Sequence, residues 1–281
     1  MRTVHKHLVW LLILALLAGC SSNRLGYRFA DWGIRWWVND YVDLSREQRR
    51  ALSSALSEHL AWHCAEELPR YADWLAEVDH QLRHDLLDAD RIAGHQQTFI
   101  EALERLALHI APTATTLLAN LSDTQVENLA QSLADNQRRR ESEFLHEDPA
   151  KEHEARATRT AERAERWFGS LNPAQRQIIA HWNDSQYGQT RTWLQGRERW
   201  QQALLESIQA RDQADFPAQV EALLLDGDRF RGEEYEAMTT SSRQALIHLI
   251  TDLLAEASPQ QRQHLSAELD KLRRDARALS C

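Results

Sequence analysis

The chain has 281 residues, 43% apolar and 27% charged, with 9 Gly, 6 Pro and 3 Cys. Those proportions lie near the globular average and exclude collagen-like, disulfide-framework and disordered classes. A net charge of −9 repels nucleic acid, so nucleic-acid binding is excluded. The length suits one large domain or two small ones.

At the N-terminus, Arg2 and Lys6 precede an apolar run from Leu8 to Leu17 that is too short to span a bilayer as a helix. The run ends in Leu17-Ala18-Gly19-Cys20, and polar Ser21-Ser22-Asn23 follows. This tetrad resembles the lipobox of bacterial lipoproteins, at the right distance from the start. The resemblance implies a signal peptide over residues 1–19, a diacylglycerol thioether on Cys20, and a fatty acyl chain such as palmitate on the new amine. Loss of residues 1–19 removes Arg2 and Lys6, which makes the mature chain two units more negative. Each buried methylene contributes about 0.8 kcal/mol, so two or three chains anchor stably where one binds reversibly. Ser21 after the cysteine implies, by analogy with lipoprotein sorting, the outer membrane facing the periplasm. The expected partners are therefore the membrane, through Cys20, and an envelope protein that the sequence does not identify. No cofactor, metal or small-molecule substrate is implied.

Beyond Cys20 the chain is rich in Leu, Ala, Glu, Gln and Arg and poor in Val, and period-2 alternation is nowhere sustained. This composition predicts an all-α fold, a multi-helix bundle of antiparallel helices. Helices are expected near 25–38, 46–66, 68–87, 89–119, 123–145, 150–168, 173–184, 190–211, 217–225, 231–256 and 259–279. In the first, Leu25, Phe29, Trp32 and Trp36 form a 4, 3, 4 stripe that reads as the face packing this helix onto the body. A seat at the lipid headgroups, where indole is favoured, is the alternative. Pro69 and Pro112 each remove a helical bond and bend or divide their helices. Residues 147–166 contain no apolar side chain larger than Ala. They predict a polar helical arm between an N-terminal half, 20–146, and a C-terminal half, 167–281.

Four segments share one pattern: Leu44-Ser45-x-x-Gln48, Leu121-Ser122-x-x-Gln125, Leu171-Asn172-x-x-Gln175 and Ala257-Ser258-x-x-Gln261. Each places a Ser or Asn at the N-cap and a Gln three residues later, which is a capping box, and Pro173 and Pro259 take the first helical position. The motif also resembles the Leu-Thr-x-x-Gln signature of small periplasmic helical chaperones of the Spy and CpxP kind, which would imply a chaperone or stress-related role. A second resemblance runs from Cys20 nearly to the C-terminus. Asp40-Tyr41-Val42-Asp43-Leu44, Gln48, Trp62-His63 and Glu67-Leu68-Pro69-x-Tyr71-Ala72 are similar to an uncharacterised family of Gram-negative lipoproteins. Cys64 stands where that family has Arg, and the family has no activity to lend.

His63, Glu67 and Tyr71 are spaced i, i+4, i+8 and form one polar row on a helix. The row is either a binding or acid/base patch, with Glu67 orienting His63, or a hydrogen-bonded clasp at a helix kink that packs Trp62 and Trp74 against the first helix. Once Cys20 carries lipid, Cys64 and Cys281 remain; they can form a disulfide if their Cα atoms lie within about 7 Å, or Cys281 stays free. His80 and His84, with Asp79, Asp85 and Asp88 near them, have zinc-compatible spacing, but with thirteen histidines and no His-Glu-x-x-His a solvated helix face is the favoured reading. Three functional classes follow. The leading one is a non-enzymatic, membrane-tethered lipoprotein acting by protein contacts; the others are a periplasmic hydrolase or metal-dependent enzyme built on His63, Glu67 and Tyr71, and a structural spacer.

Overall fold

A computed structural model describes residues 22–145 and 148–281; Cys20 and the expected signal peptide lie outside them. Among the described residues every regular element is helical. The helices are α1 (Ser22–Arg28), α2 (Ala30–Asn39), α3 (Arg46–Trp62), a π-turn (His63–Glu67), α4 (Leu68–Arg83), α5 (Ala89–Ala119), α6 (Asp123–Phe144), α7 (Pro149–Phe168), α8 (Pro173–Ser185), α9 (Gln189–Gln209), α10 (Phe216–Leu225), a 3₁₀ turn (Arg229–Arg231), α11 (Glu233–Ala255) and α12 (Pro259–Leu279). The all-α bundle expected from composition is the observed architecture.

All four capping boxes form, at Ser45, Ser122, Asn172 and Ser258. Each glutamine does more than cap. Its carbonyl oxygen accepts the N-cap N–H, while its amide nitrogen crosses to a second helix. Gln48 Nε2 donates to the Asn120 carbonyl at 2.7 Å and Gln125 Nε2 to the Asp43 carbonyl at 2.8 Å, and the two amides also bond to each other. Gln261 donates to Ser170 at 2.8 Å and Gln175 to Leu253 at 3.2 Å, again with the amides joined. The four motifs therefore act as two reciprocal latches, α3 with α6 and α8 with α12. In the second latch the Asn172 side-chain amide caps with its oxygen and also donates from its nitrogen to the Glu256 carbonyl at 3.0 Å. Capping and inter-helix locking account for the motif without reference to clients.

Among the described residues, three apolar cores lie between the helices. The first joins Val42, Leu44, Leu52, Leu56, Leu129 and Leu133 to Ile208 of α9, which is fully buried. The second sets Leu82 and Ile92 against Phe168, Ile179, Leu253 and Leu269. The third gathers Cys64, Leu68, Ala72 and Ala276. Each core draws on both sides of the charged segment, and α4 running along α12 is the most extensive helix pair. The divide drawn at residues 147–166 is therefore not a packing boundary. The reading of residues 147–166 as a polar arm needs correction as well: α7 lies on α8 and α12, with Ala161 and Ala164 against the second core. Alanines three apart give a shallow stripe on which a neighbouring helix seats closely, so the segment packs without large apolar side chains. Helices α9 and α11 also approach closely: a Cβ on Gly196 would lie 2.4 Å from the Tyr235 ring.

Pro69 and Pro112 have different consequences. Pro112 sits inside α5, which continues through it. Pro69 follows the π-turn, in which Leu68 N–H reaches back five residues to the His63 carbonyl. The extra residue in that turn rotates the polar row relative to an ideal α-helix.

Candidate functional site

The π-turn brings the predicted row together with residues from four other segments. Glu67 is completely buried. Arg105 of α5 grips it with Nε on Oε1 and Nη2 on Oε2, both at 3.0 Å, and Arg70 Nη1 adds a 2.7 Å bond to Oε1. A planar guanidinium binding both oxygens is the strong form of this pairing. On the other side of the row, the Tyr27 hydroxyl of α1 lies 3.0 Å from His63 Nδ1 and 3.4 Å from the Leu60 carbonyl. The Tyr71 ring meets His63 edge-on at 5.6 Å.

The electrostatics follow from burial and these partners. Burial pushes the Glu67 carboxyl upward, but the hydrogen bonds and charges of Arg105 and Arg70 outweigh it and hold the group below the usual carboxylate range. Tyr71 is raised by burial and by the Glu67 charge beside it. His63 is lowered by burial, with Glu67 opposing. At neutral pH the row is therefore a carboxylate with both oxygens engaged, a neutral imidazole and a neutral phenol. A general base needs a free lone pair directed at a substrate proton; Glu67 directs both oxygens at guanidinium groups. This arrangement fastens α1, the π-turn, α4 and α5 together.

The C-terminus is tied to the same place. Cys64 and Cys281 are joined by a disulfide, with Cα atoms 5.4 Å apart, and the Cys281 N–H donates to the Cys64 carbonyl at 3.2 Å. Trp62 stacks on His109 of α5 with ring centroids 3.8 Å apart, and Trp74 donates to His95 of the same helix at 3.1 Å. Both indoles thus face α5 and not the first helix, whose contribution to the clasp is Tyr27. His80 and His84 are adjacent, with His84 Nδ1 turned to its own helix at the His80 carbonyl, 2.7 Å away. Asp79 is engaged by Arg83 and Ser266, and Asp85 by Arg262.

The reading of the Leu25-Phe29-Trp32-Trp36 stripe as a packing face is overturned. Those side chains are 53–61% exposed, and Trp37 beside them is 58% exposed. The face turned inward carries Arg24, Tyr27, Asp31, Arg35 and Val38, which are all partly buried. Arg24 pairs with Asp275 at 2.6 Å, Asp31 with Arg35 at 2.9 Å, Tyr27 touches the third core and Val38 the first. The amphipathic pattern is present but inverted, with the apolar side facing outward. The pair α1 and α2 is held to the body through Arg24 and Tyr27 at one end and Val38 at the other.

Sequence reasoning missed Arg105, Tyr27, His59 and His109. His59 meets Thr113 at 2.8 Å and the edge of His109 at 5.0 Å. The one available signal was Arg105 within an otherwise leucine-rich stretch of α5. A model described as a family of unknown function (DUF6279) matches residues 40–236, more than two thirds of the chain, and the chain belongs to that family. No curated protein and no solved structure matches it.

Proposed function

We propose that this member of a family of unknown function is an envelope lipoprotein of the outer membrane. In this reading acyl chains on Cys20 hold it to the bilayer, α1 and α2 lie in the headgroup layer, and the helical body acts by contact with other envelope proteins. The observation that carries the reading is the inverted face. Leu25, Phe29, Trp32, Trp36 and Trp37 form an outward apolar surface that begins five residues after the Leu-Ala-Gly-Cys tetrad. Water penalises such a surface, and contiguous exposed apolar patches mark membrane or protein contacts. Indole rings prefer the membrane–water boundary. An acylated cysteine so near in sequence would bring this face to the lipid. One anchor and one amphipathic face reinforce each other, because a second attachment converts marginal binding into stable binding.

The test is vesicle flotation of Cys20→Ala protein lacking residues 1–19. Wild-type side chains at 32, 36 and 37 should give measurable flotation with a blue-shifted tryptophan emission, and the Trp32→Ser/Trp36→Ser/Trp37→Ser variant should stay with the soluble fraction. Equal flotation of both proteins, or of neither, would refute the role given to the face. The contact role is tested by crosslinking in intact envelopes, comparing wild type with Cys20→Ala. Tether-dependent partners support it, and identical interaction sets would count against it.

A further inference from the structure

A cleft of about 670 Å³ opens between α4, α5, α7, α8, α11 and α12. Its deepest residues belong to the second core, among them Ile92, Leu249, Leu253 and Leu269, all buried. Its outer wall carries half-buried Trp74 and Trp167 and exposed Phe99 and Leu246. The volume falls within the range that encloses a small organic ligand, roughly 300–1,000 Å³. A well-packed core does not leave such a space open to solvent.

The polar groups on the wall select the ligand. Among the described residues, His95 and Arg163 are the ionisable side chains that line the cleft, and no carboxylate lines it. His95 is committed to its neighbours: Nδ1 accepts from Trp74 at 3.1 Å, Nε2 meets Gln81 at 3.0 Å, and burial lowers its pKa. It is therefore a neutral link between two elements. Arg163 remains, exposed at the cleft and in no ion pair with a described residue. An apolar cleft with one exposed guanidinium on its wall, in no ion pair with a described residue, complements a molecule with a saturated chain and a single anionic end.

We infer that this cleft binds one fatty carboxylate, its chain among the leucines and its carboxylate on Arg163. The inference is independent of the membrane reading, since the cleft and the tryptophan face share no residue. Calorimetry on the acyl-free Cys20→Ala protein, with C10, C12, C14 and C16 carboxylates below their micellar concentrations, tests it directly. Binding should be saturable at one per chain and strengthen about tenfold for each two methylenes until the cleft is full. Arg163→Gln should weaken the carboxylates about tenfold and leave alcohols of equal length within twofold. Ala164→Phe, which narrows the cleft from its α7 wall, should weaken both. The Trp32→Ser/Trp36→Ser/Trp37→Ser variant should bind like wild type, which separates this result from failure of the membrane face. No saturable binding, no dependence on chain length, or loss of binding only in the tryptophan variant would each overturn the inference. Binding present in acyl-free protein but abolished in acylated protein would assign the cleft to the chain's own anchor and overturn it as well.

Discussion

Glu67 is the group on which the clasp turns, and removing its charge has a calculable cost. Three charge-assisted hydrogen bonds converge on a side chain with no solvent exposure. Truncation of one member of a buried pair costs about 3–5 kcal/mol, because the partner's charge is left uncompensated. Here the partners keep some solvent, with 35% of Arg105 and 51% of Arg70 exposed, so water recovers part of that loss. Glu67→Ala should therefore cost about 3 kcal/mol, at the lower end of that range, and Glu67→Gln about 2 kcal/mol, since the amide keeps one acceptor. Arg105→Ala should cost about 2 kcal/mol on the same basis. In a urea-denaturation double-mutant cycle, Glu67→Ala and Arg105→Ala should be non-additive by at least about 1 kcal/mol. Titration by NMR gives a second readout. Without Glu67, Tyr71 should ionise at lower pH and His63 should protonate at lower pH, because Glu67 raises both. Additivity within about 0.5 kcal/mol, with both titrations unmoved, would refute the account of the clasp.

Other outcomes follow from the same structure. His59, His63 and His95 are all lowered by burial, so the unfolded chain binds more protons than the native one below the ordinary histidine value of about 6.5. Stability should fall as pH drops through that value toward the depressed native values, with a second decline in stronger acid as Glu67 is protonated. A denaturation midpoint that stays flat from pH 7 to pH 5 would contradict this. Cys64→Ala/Cys281→Ala releases a bond spanning 217 residues, for which the chain-entropy relation gives about 5 kcal/mol as an upper figure. Non-reducing urea titrations should show a loss of about 2–5 kcal/mol, and equal midpoints would refute it. Gln175→Ala should destabilise more than Gln48→Ala, because Gln175 is fully buried and Gln48 only partly so. The buried latch leaves unsatisfied groups worth about 1–3 kcal/mol, and a reversed order in thermal melts would contradict the latch description. Gly196→Ala should cost about 1–3 kcal/mol through collision with Tyr235; a melt unchanged from wild type would show that α9 and α11 separate freely.

What could be read from the sequence divides by range. Capping boxes are contacts between residues three apart, so Ser45 with Gln48 or Asn172 with Gln175 is visible in five letters, and helix bounds near 89–119 and 259–279 match the structure. The second use of those glutamines spans 77 and 86 residues, and no local pattern encodes it. The same holds for Glu67, whose helical row was visible but whose partner Arg105 lies 38 residues on. Periodicity located the stripe through Leu25, Phe29, Trp32 and Trp36 but is silent on direction: a 4, 3, 4 pattern reads alike whether its face meets protein or lipid. The sign that it points outward was its polar complement, Arg24, Asp31 and Arg35, which pair with each other or with the body. In α7 the absence of large apolar residues suggested an arm, whereas Ala161 and Ala164 are sufficient for close helix contact.

Depth-resolved quenching of tryptophan emission by vesicles of lipids brominated near the headgroup or near the acyl terminus tests the central claim most directly. Bound protein should be quenched by the shallow bromines, little by the deep ones, and not at all once Trp32, Trp36 and Trp37 are replaced by serine. Quenching that persists in the serine variant, or none in the wild type bound to the same vesicles, would contradict the seating of α1 and α2 in the headgroup layer.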